Sequence, residues 1–451
     1  MRWFGTSGIR GLVGSELSTT LVTEIGLSVA TYTNSGQILV SHDTRTSCPM
    51  FEAALVSGLL SGGCHVQKTG LNPTPVLAYL TKSLNTSSGI MITASHNPPE
   101  YNGVKIFNKD TIAYSDTQQT KIEQIIKQNK FKRASWENIG RTEYVQETNR
   151  YIDMILDAVK LAEKWHVILD CGCGATYHVA PTVFPKLGCK ANAMNAQPDG
   201  FFPARSPEPK PETLTELCNV TRQLGADIGI AYDGDGDRMA AVNEKGVTVP
   251  QDLMLAAYSR YIVKNKGGGT IITHVDASRC IEEAVKPYGG KVIRTPVGDV
   301  NIALAIKKHN AVFGGEPVGS WIHPKHHFCP DGILSSALLL QALEEENKTL
   351  SQFVSGIREY PLLRDKVHCP NELKQTVMKK IQKAAPAKFP KILNTLTVDG
   401  LRFELTEGWI VIRPSGTEPA IRVTVEAKTE EEAKRLLDKA LSLIRHVSAK
   451  D

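Results

Sequence analysis

The chain has 451 residues, 41% of them hydrophobic and 22% charged, with 52 Lys and Arg against 47 Asp and Glu for a formal charge of +5. These proportions exclude a disordered polymer, and the length calls for three or four domains rather than one. The positive excess is too small and scattered to argue for nucleic acid, although it suits a small anionic ligand.

No run approaches the roughly 18–20 apolar residues of a membrane span. The nine cysteines are an odd number without a CxxC pair, which predicts reduced thiols. The start, "MRWFGTSGIRG", lacks an apolar core of signal-peptide length, so a cytoplasmic protein is expected.

Along the chain, "QILVSHDTR" (37–45) reads as a strand with a polar end, and "FEAALVSGLLSGG" (51–63) as an amphipathic helix closed by glycine. "SGIMITASHN", "WHVILDCGCG", "ADIGIAYDGDGD", "GTIITHVDAS" and "NAVFGGEP" repeat one pattern, a buried strand followed by a turn of small or acidic residues. Such alternation predicts α/β units with mixed or parallel sheets, in which ligands bind beyond the carboxyl ends of strands. The last part differs. "LRFELTEGWIVIRPSGTEPAIRVTVEA" reads as three strands and "KTEEEAKRLLDKALSLI" as one helix, with Thr429 and Glu432 spaced as a capping box. Boundaries are expected near 150, 250 and 366, giving units 1–150, 151–250, 251–365 and 366–451. The polar stretch 128–150 and the proline-flanked "YPLLRDKVHCP" are read as supporting the first and last.

The unusual residues follow strands. In "DGDGDR" (233–238), Asp233, Asp235 and Asp237 alternate along a glycine-loosened turn, where they repel one another unless a cation sits among them; Mg²⁺ takes such hard oxygens. A solvated acidic turn is the plainer alternative. A calcium loop would need glycine where Arg238 stands. "RPSGTEPAIR" (413–422) sets Ser415, Gly416 and Thr417 between Arg413 and Arg422, an anion pocket or a surface turn with two solvated arginines. "GGEPVGS" (314–320) has Glu316 as its one charge, suited to sugar hydroxyls or to a plain loop. Arg10 in "FGTSGIRG" contacts phosphate or caps structure, and "HDTR" offers Arg45 as a further candidate, with an ordinary Asp43–Arg45 surface pair as the plainer alternative.

In "TASHNPPEYNGVK", Ser95 and His96 lack a GxSxG elbow and a triad partner, which leaves Ser95 as a possible phosphate carrier beside the acidic site and Lys105. "HPKHHFC" (323–329) matches no standard zinc spacing and reads as a polar loop lining an active cleft; "CGCG" (171–174) reads as a tight turn.

Together "TASHNPPEYNGVK", "DGDGDR", "GGEPVGS" and "RPSGTEPAIR", in that order over nearly the full chain and after "GTSGIRG", resemble the α-D-phosphohexomutase superfamily. The resemblance implies three related α/β domains with mixed sheets and a C-terminal α+β domain around a central cleft. It implies phosphoserine at Ser95 as the carrier, Mg²⁺ held by Ser95, Asp233, Asp235 and Asp237, and Arg238 stabilising the transferring phosphoryl group. Lys105 and His96 would assist proton transfer, with Arg10 near them. Glu316, Val318 and Ser320 would meet the sugar; Arg413, Ser415, Gly416, Thr417 and Arg422 would grip the substrate phosphate.

The implied reaction passes phosphate reversibly between O6 and O1 of a hexose phosphate through a bisphosphate that turns round in the cleft. A sugar bisphosphate would act as activator, and the last domain would close the cleft. The expected protein is a monomer or homodimer acting on a small phosphosugar, with no nucleic-acid or membrane partner. The sugar loop departs from the usual GGExSGH, with Val318 for serine and Ser320 for histidine. "RTPVGD" (294–299), with Asp299, is similar to the phosphoglucosamine mutase branch. "PDGFFPARSPEP" is more similar to phosphomannomutase/phosphoglucomutase and archaeal-type enzymes. The expected reaction is glucosamine 6-phosphate to glucosamine 1-phosphate. The alternatives are phosphomannomutase/phosphoglucomutase, phosphopentomutase or a phosphosugar-binding protein.

Overall fold

The computed structural model describes residues 3–5, 8–415 and 418–448. Gly416 and Thr417, two of the expected phosphate contacts, lie outside the described residues.

The first sheet contains β1 (Phe4–Gly5), β2 (Gly8–Leu12), β3 (Gln37–His42), β4 (His65–Leu71), β5 (Ser88–Ile92), β6 (Tyr101–Asn108) and β7 (Thr142–Tyr144), in the order β1-β2-β6-β5-β3-β4-β7. The second contains β8 (His166–Asp170), β9 (Lys190–Met194), β10 (Ile228–Tyr232) and β11 (Met239–Val242), ordered β11-β10-β8-β9. The third contains β12 (Gly269–His274), β13 (Gly290–Thr295), β14 (Phe313–Glu316) and β15 (Ser320–Ile322), ordered β13-β12-β14-β15.

One topology underlies all three. In the four-strand set β3–β6, in β8–β11 and in β12–β15, the first strand lies between the second and third in parallel pairing. The fourth adds antiparallel beside the third. Parallel strands covered on both faces must be apolar throughout, and β5 and β10 are buried at every residue. The three candidate loops therefore occupy equivalent places, between the third and fourth strand of each unit: Ser95 after β5, the aspartates after β10 and the sugar loop after β14.

The fourth sheet is antiparallel: β16 (Leu362–His368), β17 (Ile392–Leu396), β18 (Leu401–Leu405), β19 (Gly408–Pro414) and β20 (Ala420–Ala427), ordered β16-β20-β19-β18-β17. Helices Lys374–Lys388 and Glu430–Ser448 accompany it. The second starts where the sequence places it: the Glu432 N–H donates to Thr429 Oγ1 at 3.2 Å, and the helix buries Leu436, Ala440, Ile444 and Val447 along one side.

The two stretches taken as supporting boundaries near 150 and 366 both contain strands. The centre of "YPLLRDKVHCP" is β16, paired with β20 from Leu362 to His368. The polar stretch 128–150 contains β7, which pairs with β4, and residue 150 lies inside helix Thr148–Ala158. Neither strand shows in the sequence, because both are mostly exposed and lack an apolar run.

One continuous core runs from the first unit's helix Thr74–Ser83 through the second and third units. The last unit has its own core and meets the third through Val275, Trp409 and Val411. That contact is reinforced by Arg402, which donates to the Val275 carbonyl and stacks 4.0 Å from the Trp409 ring centroid.

Candidate active site

Ser95 sits past β5 with its backbone in the left-handed region, φ 53°. A non-glycine residue holds that conformation only where its surroundings fix it. Thr93 does part of this, its Oγ1 accepting the Ser95 N–H at 2.8 Å. Arg45 does more. Its guanidinium donates to the carbonyls of Ser95 (2.9 Å), Asn97 (2.6 Å), Pro98 (2.5 Å) and Tyr101 (2.8 Å), and its Nε pairs with Asp43 at 3.1 Å. Asp43 also accepts from Thr93 Oγ1 at 2.6 Å. The plainer alternative, an ordinary surface pair, does not hold: Asp43 and Arg45 are 0% and 1% exposed and hold the Ser95 loop from beneath.

The Ser95 hydroxyl donates to Asp233 Oδ2 at 2.8 Å, joining the first and second units. This approach requires Gly234, because a Cβ there would stand 2.5 Å from the Ser95 carbonyl oxygen. Asp233, Asp235 and Asp237 are all buried, with ligand oxygens within 4.8 Å of one another. Lys105, on β6, reaches in with Nζ 2.7 Å from both Asp235 Oδ2 and Asp237 Oδ2. Thr74 opens the helix before it and donates to Asp235 Oδ2 at 2.5 Å. Burial alone would lower the Lys105 pKa, but the two carboxylates override it and hold the ammonium charged. Burial, with Asp237 and Asp235 adding, pushes the Asp233 carboxyl well up. One lysine does not satisfy three carboxylates: Asp235 Oδ1 and Asp237 Oδ1 are buried without a hydrogen-bond partner. Unpartnered hard oxygens around a serine hydroxyl fit a divalent cation such as Mg²⁺.

His96 Nδ1 lies 3.3 Å from Ser95 Oγ, and burial together with Arg238, Arg10 and Lys105 forces the ring neutral. Arg10 donates to Asn97 Oδ1 at 2.9 Å. Arg238 gives its backbone N–H to Asp233 Oδ1 at 3.1 Å and holds Nε 3.9 Å from Asp237 Oδ1.

Arg10, His96, Asp237 and Arg238 line one cavity of about 310 Å³ together with Glu316, Val318, Ser320, Asp299 and Arg413. Glu316 accepts the Gly298 N–H at 3.0 Å, and burial, with Asp299 adding, pushes its carboxyl up to about 7. Arg413, on β19, is held by Asp276 Oδ2 at 2.9 Å and lies 3.9 Å from Asp399.

The rest of the expected phosphate grip is arranged differently. Ser415 Oγ accepts the Glu418 N–H at 3.1 Å, and the Ser415 carbonyl takes the Lys374 ammonium at 2.6 Å. Arg422 pairs with Glu418 at 3.4 Å and does not line the cavity.

The "HPKHHFC" stretch also moves. It does not line the cavity: His327 Nε2 bonds Asp331 at 2.9 Å, Asp331 takes the Tyr151 hydroxyl at 2.7 Å, and His323 packs against Tyr258 and Phe313. Buried imidazoles bonded to core partners through Nε2 look, in sequence, like a ligand cluster.

Three cavity residues with polar or charged side chains escaped the sequence reading: His274, Asp276 and Arg364. His274 ends β12, where the strand-end rule would have flagged it. Arg364 lies on β16, within the stretch read only as support for a boundary.

Four domain descriptions of the phosphoglucomutase/phosphomannomutase family match in order. They are α/β/α domain I over residues 1–133, domain II over 143–246, domain III over 250–360 and the C-terminal domain over 366–443. A probable phosphoglucosamine mutase of Methanothermobacter thermautotrophicus is 43% identical over 448 residues, 99% of this chain and 98% of its own. The phosphoglucosamine mutase of Methanococcus vannielii is 42% identical over 451 residues, 99% of each chain. A crystal structure of a phosphoglucomutase/phosphomannomutase family protein from Burkholderia thailandensis superposes with a TM-score of 0.88 at 26% identity, covering 99% of this chain and 97% of that one.

The fold and site thus define an enzyme of the phosphosugar-mutase class. The chain belongs to the phosphoglucomutase/phosphomannomutase family.

Proposed function

We propose that this enzyme interconverts glucosamine 6-phosphate and glucosamine 1-phosphate through a phosphoserine at Ser95. The carrying observation is the Ser95 hydroxyl seated 2.8 Å from Asp233 within the buried acidic triad. The names of the relatives support the choice of sugar.

Asp233, Asp235, Asp237 and the phosphate on Ser95 would hold Mg²⁺, which when bound would neutralise the charge on the phosphoryl oxygens. Lys105 and Arg238 add fixed positive charge where the transferring group passes. In the forward step a sugar hydroxyl attacks the phosphorus of phospho-Ser95. The new P–O bond forms as the bond to Ser95 Oγ breaks, and the proton lost by the sugar hydroxyl is matched by the one that the released Ser95 oxygen takes up. His96, beside Ser95 Oγ, and Lys105, beside the aspartates, are the groups that line this exchange. The bisphosphate turns, and the reverse step returns its other phosphate to Ser95.

Glu316 holds sugar hydroxyls. Arg413 holds the phosphate that is not transferred; Ser415, Gly416, Thr417 and Arg422 would join it when the last unit closes on the cavity. Arg10, bonded to Asn97 of the Ser95 loop, faces the same cavity. A trace of sugar bisphosphate would prime Ser95. The four motif-bearing units are assigned as the domains of the reaction. Nine free thiols, eight of them buried, favour a reducing cytoplasmic setting. No described helix is long and apolar enough to cross a membrane.

The test is a panel of glucosamine, glucose, mannose and ribose 1-phosphates with Mg²⁺ and primer, followed by phosphorus NMR. Preference for glucosamine phosphate is expected, and Ser95→Ala should abolish turnover while retaining sugar-phosphate binding. Preference for glucose, mannose or ribose would overturn the choice of sugar. Full activity in Ser95→Ala would overturn the carrier.

A further inference from the structure

Glu316 ends β14, and the two neighbouring strands bring different groups beside it. On one side β15 sets Ser320 opposite it in register; on the other, β12 ends on His274. His274 is 6% exposed and lines the cavity. Its Nδ1 accepts the Asp276 backbone N–H at 3.0 Å, which assigns the proton of a neutral ring to Nε2.

The ring is kept neutral. Burial pushes its pKa down to about 4, Arg294, Arg413 and Arg364 push the same way, and Asp276 opposes. Nε2 lies 3.8 Å from Glu316 Oε1, too far for a hydrogen bond. No described residue gives it any other partner. A buried N–H donor and a buried carboxylate thus flank one gap in the substrate cavity. A carboxylate only accepts and this nitrogen only donates. A hydroxyl satisfies both at once, giving its proton to the carboxylate and its lone pair to the N–H.

We propose that His274 is a substrate-binding residue: its Nε2–H donates to the oxygen of a pyranose hydroxyl whose own proton goes to Glu316. The inference rests on the phosphosugar reading above and adds a residue from β12 to its sugar site. It also gives the pair a preference for a group that is donor and acceptor together. An ammonium cannot accept from Nε2, so the group bound here is a ring hydroxyl and not the amino group of glucosamine.

The turn at 274–276 supplies a control for a merely structural role. In His274→Asn, Oδ1 can still accept the Asp276 N–H two residues on, but the side chain no longer reaches to the Nε2 position. In His274→Ala both contacts go.

Binding of glucosamine 1-phosphate and of its 3-deoxy and 4-deoxy analogues to the full-length unphosphorylated protein would be measured by calorimetry. Isomerisation of the same ligands by the wild type reads the proposed function separately. His274→Asn should melt at the wild-type temperature and bind glucosamine 1-phosphate about three- to tenfold more weakly, the worth of one lost hydrogen bond. With one deoxy analogue the difference between variant and wild type should vanish, identifying the hydroxyl read. Wild-type affinity in His274→Asn would overturn the proposal. So would an equal loss for all three ligands. If His274→Ala fails to fold, His274→Asn still decides.

Discussion

Removing the Arg45 side chain past its methylenes, as in Arg45→Met, tests whether the Ser95 loop is held from below. The guanidinium serves four loop carbonyls and the Asp43 carboxylate; the ion pair and the Ser95 carbonyl are buried, while Asn97, Pro98 and Tyr101 are partly open to solvent. Breaking a buried ion pair by deleting one partner costs about 3–5 kcal/mol. Each carbonyl that loses a charged donor adds roughly 1–3 kcal/mol where water cannot replace it. These losses share one side chain and do not simply add. The loop stays next to the cavity, so water reaches some of the carbonyls.

A destabilisation of about 4 kcal/mol or more is therefore expected, a large part of the roughly 5–15 kcal/mol that holds a domain folded. It should appear locally. Backbone amides of residues 93–101 should exchange with deuterium far faster than in the wild type, while those of β18 to β20 stay protected. Turnover should fall by at least tenfold, because the left-handed Ser95 backbone loses its support. Arg45→Lys, which keeps the charge but offers three donors for five, should fall between the two. In the double variant Asp43→Asn/Arg45→Met the buried charge is gone, so it should be no less stable than Arg45→Met alone. Wild-type exchange over 93–101 in Arg45→Met, with activity within twofold, would refute the reasoning.

Gly234→Ala should leave the second unit folded but push the aspartate loop from Ser95, since its Cβ would meet the Ser95 carbonyl at 2.5 Å; loss of activity with a near-normal melting temperature is expected, and unchanged turnover would show that the loops separate freely. Arg364→Gln removes a guanidinium that shares the cavity with Arg413; the KM for sugar phosphate should rise several-fold with little change in kcat, as for a group that binds phosphate equally throughout the reaction. Glu316 carries a carboxyl pushed up to about 7, so it is protonated below that pH and there accepts hydroxyl protons poorly. The acid limb of kcat/KM should therefore fall from about pH 7 downward. Glu316→Gln, lower throughout, should lose that limb and retain only the one set by the substrate phosphate, whose second ionisation lies near 6.

The parts of this enzyme that were legible in the sequence share a physical cause. A strand buried on both faces must be apolar, and a loop built for phosphate and metal must be polar, so "SGIMITASHN" and "ADIGIAYDGDGD" announce both elements and site in a few residues. What stayed hidden depends on partners distant in sequence. Arg45 looks like a surface residue until the chain brings back the Ser95 loop 50 residues later to present its carbonyls. Lys105 reads as a nearby charge, and only the second unit, 130 residues on, makes it the counterion of Asp235 and Asp237. β16 is exposed along much of its length and lacks an apolar run, yet its full-length pairing with β20 carries Arg364 to the cavity. The same logic explains the misplaced histidines. His323 and His327 are polar residues anchored inside a core through Nε2, a placement set by Ser335, Asp331 and Tyr151 rather than by their own neighbours. His274 is the reverse case, the last residue of an ordinary strand whose one spare donor faces the substrate cavity because β12 and β14 are neighbours in the sheet.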